Sequence, residues 1–300
     1  MPSEPDAAAA HCHLDLGNAL LDKGELDGAI TEFREVLRLN PNHDDAHYCL
    51  GVALGRKGDG DSAIAEFREM LRLNPKNEFA HYAHYCLGME LHNKGDLDGS
   101  IAEYRAAIRL QPDFADAHHK LGFLLRNEGE FHGAMAEYRE VVRLNPNSAE
   151  PHVFLGHALS SKGRMRGYDP GGAIAEYREA LRLDPNSDEA HWGLGTVLED
   201  TGDTEGAIAE FREALRLNSK NDLAHRCLGD ALGQKGDWDV IVAYECEALR
   251  LNPNDDTAHY NLGCAFEQKA LQEYRRACEL KSQYVHYRTA YERLAKKTSE

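Results

Sequence analysis

The chain has 300 residues, of which 42% are hydrophobic and 28% charged, so it carries enough apolar side chains for a folded core. Its formal net charge of −17 argues against nucleic acid and anionic membranes as partners, because both require a positive protein surface. No apolar run approaches the roughly 18 residues of a membrane-spanning helix, and no secretory signal is visible at the N-terminus. The seven cysteines are an odd number, so we expect reduced thiols and a cytoplasmic location.

A Leu-Gly pair recurs along the chain at steps of 34, 37, 34, 34, 39, 34 and 34 residues. A fixed period indicates that each copy is one structural unit stacked on the next. The glycines of the pair are Gly17, Gly51, Gly88, Gly122, Gly156, Gly195, Gly229 and Gly263. The predicted repeats one to eight span 10–43, 44–80, 81–114, 115–148, 149–187, 188–221, 222–255 and 256–280. We expect a flexible segment at 1–9 before them, and a capping helix and tail at 281–300 after them.

Each repeat carries two hydrophobic stripes with helical spacing. Counting positions from Ala10 in repeat one, the stripes fall at positions 7, 8 and 11 and at positions 20, 21, 24, 27 and 28. A glycine followed by an acidic residue separates the stripes, which is typical of a helix end and the start of another helix. Pro41 and its equivalents stop the second stripe. Each repeat is therefore predicted to be an antiparallel pair, which we call its first helix and its second helix.

These marks resemble the tetratricopeptide repeat, a 34-residue helix–turn–helix with the pattern W-x2-L-G-x2-Y, then A-x3-F and P. Position 20 is small in repeats one to six and eight: Ala29, Ala63, Ser100, Ala134, Ala173, Ala207 and Ala270. Position 24 is aromatic in the same repeats: Phe33, Phe67, Tyr104, Tyr138, Tyr177, Phe211 and Tyr274. The resemblance implies an all-α, right-handed superhelical solenoid of eight helix pairs, with the first helices lining a concave groove.

Four departures from the pattern carry structural expectations. Three extra residues within 81–88 predict a longer first helix in repeat three, and five extra residues within 161–172 predict a longer loop in repeat five. In repeat seven, Glu245 stands at position 24 and Tyr244 one place earlier. We expect a rotated helix there, because burying an unpaired carboxylate is costly. In repeat eight Lys269 runs directly into the second stripe, which predicts that the two helices fuse.

Histidine replaces the family tryptophan at position 4 of every repeat: His13, His47, His84, His118, His152, His191, His225 and His259. Successive first helices lie roughly 10 Å apart, too far for one metal ion to bridge, so we expect this column to serve packing. The Glu-x-Arg-Glu pattern of the second helices, beginning at Glu32, predicts a solvated face. We find no catalytic motif and no stretch left for a catalytic domain, and therefore predict no enzyme activity, cofactor or metal.

In the family, positions 2, 5, 9, 12 and 13 of the first helix face the groove, and aromatic side chains there are typical peptide anchors. Acidic residues outnumber basic ones at these positions, which favours a basic or apolar-basic peptide. The predicted groove residues are Tyr48, Tyr85, Met89, Phe123, Arg126, His157, Trp192, Glu199, Arg226, Asp230 and Tyr260. The alternative interpretation is that the position-5 aromatics pack against the neighbouring repeat.

The sequence therefore predicts a non-catalytic scaffold or adaptor that binds a peptide segment of a protein partner in its groove. Two binding modes of the family are not expected: no repeat has Lys at position 5 for a carboxylate clamp, and position 6 has a single asparagine, Asn261, where an asparagine ladder needs many. An alternative function is a self-assembling solenoid that forms head-to-tail oligomers. An enzyme that uses the histidines or the loop of repeat five is a third hypothesis.

Overall fold

The computed structural model describes residues 4–161, 168–251, 253–254, 256–281 and 285–297. These residues form sixteen α-helices and no β-strand. The helices are α1 (Glu4–Lys23), α2 (Leu26–Leu39), α3 (Asp44–Lys57), α4 (Gly60–Leu73), α5 (Ala80–Asn93), α6 (Leu97–Leu110), α7 (Ala115–Asn127), α8 (Phe131–Leu144), α9 (Ala149–Ser160), α10 (Pro170–Leu183), α11 (Asp188–Asp200), α12 (Thr204–Leu217), α13 (Asp222–Lys235), α14 (Trp238–Leu251), α15 (Asp256–Leu280) and α16 (Val285–Lys297). The insertion predicted to lengthen the loop of repeat five falls largely at 162–167, outside the described residues.

The chain divides into two compact bodies, Met1–Pro146 with α1–α8 and Asn147–Glu300 with α9–α16. In the N-terminal body the odd-numbered helix of each repeat packs on the even-numbered helix that follows it, and α2, α4 and α6 each pack on the first helix of the next repeat. The C-terminal body repeats this arrangement from α9 to α13. The prediction of an all-α solenoid built from adjacent helix pairs is confirmed.

In repeats two, three and six the turn between the two helices follows from a Gly-Asp pair. Gly95 adopts a left-handed conformation with φ 81°, which a residue without Cβ reaches at little cost. The Asp96 carboxylate then accepts a hydrogen bond of 3.0 Å from the Gly99 N–H, and so caps the start of α6. Asp59, Asp169 and Asp203 form the same cap on α4, α10 and α12. Two residues thus end one helix and start the next.

The Leu-Gly glycines allow the two helices of a repeat to approach closely. A Cβ atom added at Gly51 would lie 2.7 Å from Cε1 of Phe67, a ring that is only 1% exposed. The other regular repeats show the same glycine–ring contact at Gly17–Phe33, Gly88–Tyr104, Gly122–Tyr138, Gly156–Tyr177 and Gly195–Phe211. Because each ring fills the space that a side chain would need, the pattern links the position-8 glycine to the position-24 aromatic.

Two boundaries differ from those predicted. Helix α1 begins at Glu4, so residues 4–9 are helical rather than a flexible segment; the alanines at 7–10 are the strongest helix formers. Helix α5 has 14 residues, as many as α3, so the predicted lengthening is wrong. Two of the three extra residues lie in the connection at 74–79, which is two residues longer than the connection at 40–43. There the Asn77 side chain accepts a hydrogen bond of 2.7 Å from the Phe79 N–H.

The expected rotation of the second helix in repeat seven is also wrong. Glu245 keeps the register of the buried aromatics and is 1% exposed. The Asn261 side chain, which comes from repeat eight, donates a hydrogen bond of 2.9 Å to Glu245 Oε1. Tyr244 lies beside His225, with ring centroids 5.6 Å apart. The carboxylate can remain buried because a neighbouring repeat supplies a donor.

Repeat eight consists of one continuous helix, α15, of 25 residues, as the missing turn predicts. Tyr274 does not fold back as the position-24 aromatic would require: it is 40% exposed, and no heavy atom lies within 4 Å of a Cβ built at Gly263. Helix α16 packs on α15 at the position of the predicted cap, and the Arg275 guanidinium lies 5.8 Å from the centroid of the Tyr291 ring.

Candidate functional site

The position-4 histidines join the two helices of a repeat. In repeats one to six, Nδ1 of each histidine lies 2.5–2.6 Å from a glutamate oxygen on the second helix of the same repeat. The pairs are His13–Glu32, His47–Glu66, His84–Glu103, His118–Glu137, His152–Glu176 and His191–Glu210. The first glutamate of the Glu-x-Arg-Glu pattern was predicted to be solvated. It faces the histidine column instead.

The two position-5 tyrosines of the N-terminal body lie in the seams between repeats. Tyr48 stacks on Phe79, which stands in the connection to the next repeat, with centroids 5.5 Å apart and planes at 10°. Tyr85 lies 5.1 Å from Phe114 and 5.8 Å from Tyr104. Burial raises the pKa of Tyr85 to about 12 and also raises that of Tyr48. Both rings are half-buried packing residues, as the alternative interpretation anticipated.

Three further predicted residues lie on the first helices α5 and α7. Phe123 is half-buried, with the His92 ring 6.2 Å away and the Arg126 guanidinium 5.6 Å from its centroid. A cation over a ring face is attracted to it, so Phe123 holds the Arg126 side chain against their common helix. Arg126 remains partly exposed. Met89 is half-buried on α5. This part of the first-helix face combines one aromatic ring with one cation and one imidazole.

In the C-terminal body, His157 and Trp192 meet at the seam between repeats five and six. Their ring centroids are 5.8 Å apart. His157 Nε2 lies 3.0 Å from Glu189 Oε1, and Nδ1 lies 2.8 Å from the hydroxyl of Tyr177. Tyr177, at the inner end of this chain of contacts, is completely buried. These contacts hold repeats five and six together. The Glu189 carboxylate, 58% exposed, remains at the protein surface.

The remaining predicted residues form an acidic face with one exposed aromatic ring. Tyr260 on α15 is 73% exposed, and its pKa is raised by a hydrogen bond to Cys264 and by the charges of Asp230 and Glu267. Arg226 and Asp230 are exposed on α13. Glu199 on α11 accepts a hydrogen bond of 3.1 Å from the Gln234 side chain. Of the predicted groove residues, Tyr260 therefore has its ring open to a partner, with two carboxylates beside it.

The sequence interpretation missed Phe79 and Phe114. Each stands immediately before a first helix. Phe79 packs against Tyr48, and Phe114 packs against Tyr85. The sequence contains a signal for this packing role, because Phe79 and Phe114 are large apolar residues in connections that are polar in most other repeats. Phe114 is 6% exposed and also contacts His81 and Tyr82. Most aromatic side chains of repeats two to four therefore pack at the boundaries between repeats and do not line an open groove.

Among the described residues, one group of three potential metal ligands lies close together: the ligand atoms of His43, Asp44 and Asp45 are within 4.8 Å of one another. These side chains already have roles. His43 accepts from the Ala46 N–H at the start of α3, and the Asn77 amide donates to both carboxylates at 2.9 Å. Within the part of the chain that the structure covers, no helix has the length and apolar character needed to cross a bilayer.

The fold and its seams define an all-α repeat protein built from stacked helix pairs. Family models of the tetratricopeptide repeat match residues 17–58 and 88–127, 115–148, and 164–222, which together cover more than half of the chain. The chain belongs to the tetratricopeptide repeat family. No curated protein sequence matches it significantly.

Solved structures show the same fold at low sequence identity. The C-terminal part of a TPR repeat-containing protein from Cytophaga hutchinsonii aligns with a TM-score of 0.69 at 16% identity, covering 83% of this chain and 99% of that one. YrrB, described as a TPR protein with an unusual peptide-binding site, aligns with a TM-score of 0.56 at 19% identity, covering 64% and 95%. MamA from Desulfovibrio magneticus RS-1 aligns with a TM-score of 0.53 at 21% identity, covering 60% and 97%.

Proposed function

We propose that the chain is a non-catalytic protein-interaction scaffold whose first-helix face binds a basic or apolar-basic peptide segment of a partner. The family fold is consistent with protein–protein interaction, and YrrB is described as having a peptide-binding site. The observation that carries the proposal is the acidic face of the C-terminal body. There Tyr260 is 73% exposed, and the charges of Asp230 and Glu267 act on its hydroxyl. A cationic side chain can pack on such a ring while it pairs with the carboxylates.

The structure changes which residues should be mutated to test the proposal. Tyr48 and Tyr85 pack between repeats, and the indole Nε1 of Trp192 is buried, so truncating them would loosen the array as well as the face. Tyr260 and Asp230 are exposed, and their replacement leaves the seams intact. The test variant is therefore Tyr260→Ser with Asp230→Asn. Phe266→Ser, at a ring that is 52% exposed elsewhere on α15, is the matched control.

The experiment selects peptides from a random library on the wild-type chain and measures their affinities for the three proteins by fluorescence anisotropy. We expect Lys- and Arg-containing peptides, with affinity reduced roughly 30-fold in the double variant, which corresponds to the loss of an interface hot spot worth about 2 kcal/mol. The control should bind like the wild type. Enrichment of acidic peptides, or equal affinity for the wild type and the double variant, would contradict the proposal.

A second candidate function is self-assembly of copies of this chain. Between residues 269 and 297 the chain has eight Lys and Arg against three Glu, whereas its overall charge is −17. Leu280 and Val285 are 76% and 74% exposed beside these cations. This basic segment therefore complements the acidic surface of another copy.

Light scattering over a range of protein and salt concentrations tests self-assembly. The hypothesis requires a mass that rises with protein concentration and falls with added salt, because the attraction between copies is electrostatic. Arg288→Gln with Arg293→Gln should weaken it. A constant monomer mass at all concentrations in low salt would rule self-assembly out, and it would leave the peptide-binding proposal unaffected.

A further inference from the structure

Three histidines of the position-4 column have an oxygen acceptor at each ring nitrogen. In His47, Nδ1 lies 2.5 Å from Glu66 Oε2 and Nε2 lies 3.0 Å from the carbonyl oxygen of Pro41. The equivalent distances are 2.6 and 2.9 Å for His118, whose acceptors are Glu137 and Pro112. For His191 they are 2.6 and 3.4 Å, with Glu210 and Pro185 as acceptors.

Each of these rings joins elements of two successive repeats. The glutamate lies on the second helix of the histidine's own repeat, whereas the proline carbonyl belongs to the end of the preceding repeat. His47 therefore links repeat two to repeat one, and His118 links repeat four to repeat three, both within the N-terminal body. His191 links repeat six to repeat five within the C-terminal body.

A neutral imidazole has one N–H, so it can donate to one of two acceptors and must turn a lone pair toward the other. Carbonyl and carboxylate oxygens cannot donate in return. Only the imidazolium ion, with a proton on each nitrogen, makes both hydrogen bonds at once. The geometry around these three rings therefore selects the charged form.

We propose that His47, His118 and His191 are proton-dependent links between successive repeats, which close when both ring nitrogens carry a proton and open when one proton leaves. The consequence is a repeat array whose internal cohesion falls as the pH rises through the folded-state pKa values of these three histidines. The family tryptophan at this position cannot do this, because it does not titrate. The histidine column thus gives this chain a response to pH that is separate from any peptide binding.

The charged groups that face each ring are glutamates of the second helix: Glu66 and Glu69 for His47, Glu137 and Glu140 for His118, and Glu210 and Glu213 for His191. The second glutamate of each pair also forms a salt bridge with an arginine: Glu69 with Arg72, Glu140 with Arg143 and Glu213 with Arg216. The preceding repeat contributes a neutral carbonyl group to each ring.

The directions of the pKa shifts agree with this geometry. For His118 the hydrogen bond to Glu137 is the largest influence and raises the pKa above its ordinary value against the effect of burial. For His47 and His191 burial is the largest single influence and lowers the pKa, but the glutamate and carbonyl contacts together outweigh it, so the pKa is raised. A raised folded-state pKa gives stability that is present below the unfolded value of about 6.5 and is lost as the pH rises through the folded-state value.

The same column contains internal comparisons with one acceptor each. His152 contacts Glu176 at 2.6 Å, and its buried Nε2 has no hydrogen-bond partner among the described residues. His225 has the carbonyl contact, at 3.2 Å to Ser219, but Tyr244 stands where the other repeats have the glutamate. One N–H is enough for each of these rings, so neither requires the second proton.

The direct test follows each histidine by NMR in the full-length wild-type chain, recording ring ¹⁵N and ¹Hε1 shifts from pH 5.5 to 9. Single His→Gln variants assign the resonances. We expect His47, His118 and His191 to keep both protons to a higher pH than the ordinary histidine pKa of about 6.5 allows. If the three lose the second proton at or below that pH, the proposal is wrong.

A stability measurement extends the test to the links themselves. The variant H47Q/H118Q/H191Q removes the two-acceptor rings, and H13Q/H84Q/H152Q is a matched control at rings for which the described residues give only the glutamate contact. We expect the thermal midpoint of the wild type and the control to fall more between pH 6 and pH 8.5 than that of the first variant. An equal fall in all three proteins would overturn the proposal even if every variant is less stable than the wild type.

Discussion

Replacing Gly51 with alanine tests whether the Leu-Gly pair is required by packing. The added Cβ would lie 2.7, 2.9 and 3.1 Å from Cε1, Cδ1 and Cζ of Phe67. The ring is 1% exposed inside the core of α3 and α4, so it cannot swing into solvent to make room. Overpacking of this kind costs about 1–3 kcal/mol. Alanine regains about 1 kcal/mol of helix propensity, so we expect a net loss of up to about 2 kcal/mol.

Gly263→Ala is the matched control for this substitution. It changes the same Leu-Gly position in repeat eight, where no heavy atom lies within 4 Å of the added Cβ. Only the gain in helix propensity remains, so we expect a stabilisation of about 1 kcal/mol. The two substitutions should therefore have opposite signs, although the sequence pattern treats the two glycines as equivalent.

The assay is urea denaturation followed by circular dichroism, with amide exchange over residues 44–73 and 256–280 to locate each effect. The local readout is needed because a repeat array does not unfold as one two-state unit. We expect faster exchange in α3 and α4 for Gly51→Ala, and slower exchange in α15 for Gly263→Ala. If Gly51→Ala leaves α3 and α4 as stable as in the wild type, the glycine–ring contact is not what the pattern encodes.

Three further predictions concern the irregular repeats and the thiols. Asn261→Ala should destabilise repeat seven by about 2 kcal/mol, measured by denaturation, because buried Glu245 loses a donor; Tyr260→Ala, at the exposed neighbouring residue, should have little effect. Amides of α13–α15 should exchange faster than those of α11 and α12, and uniform protection would refute this. At pH 8 iodoacetamide should alkylate exposed Cys12 and Cys246 well before Cys49 and Cys86, because burial raises the pKa of both buried thiols to about 11; equal rates would contradict this.

Much of the fold follows from local sequence signals. The period places the helix pairs, the Gly-Asp turn ends one helix and caps the next, and the ring at position 24 requires a small residue at position 8. These features are predictable because each depends on residues within one repeat. The fusion of the two helices in repeat eight was predictable for the same reason, since it needs only the deletion of the turn after Lys269.

The features that were not predictable depend on contacts between repeats. The position-5 tyrosines were assigned to an open face, but Tyr48 and Tyr85 pack on Phe79 and Phe114, which arrive from the following connection. Glu245 was expected to leave the core, and the donor that keeps it there, Asn261, belongs to repeat eight. The histidine–glutamate pairs could have been predicted, because in five of the first six repeats a glutamate follows the position-4 histidine by 19 residues.

Repeat seven shows how the two contact systems of a repeat depend on one another. In the regular repeats a glutamate at position 23 faces the histidine, and the aromatic ring at position 24 faces the glycine. Repeat seven reverses this order, with Tyr244 and then Glu245. Tyr244 consequently lies beside His225, and Glu245 takes the buried place of the ring, where it binds Asn261.

The exchange of two neighbouring residues therefore removes two contacts at once. His225 loses its carboxylate, so it no longer has acceptors at both ring nitrogens. Gly229 loses its ring, and a Cβ there would meet the Asn261 amide at 2.9 Å. Because helix register couples positions 23 and 24, neither contact can be restored without moving the other. The same coupling explains why the proton-dependent links are confined to repeats that keep the regular order.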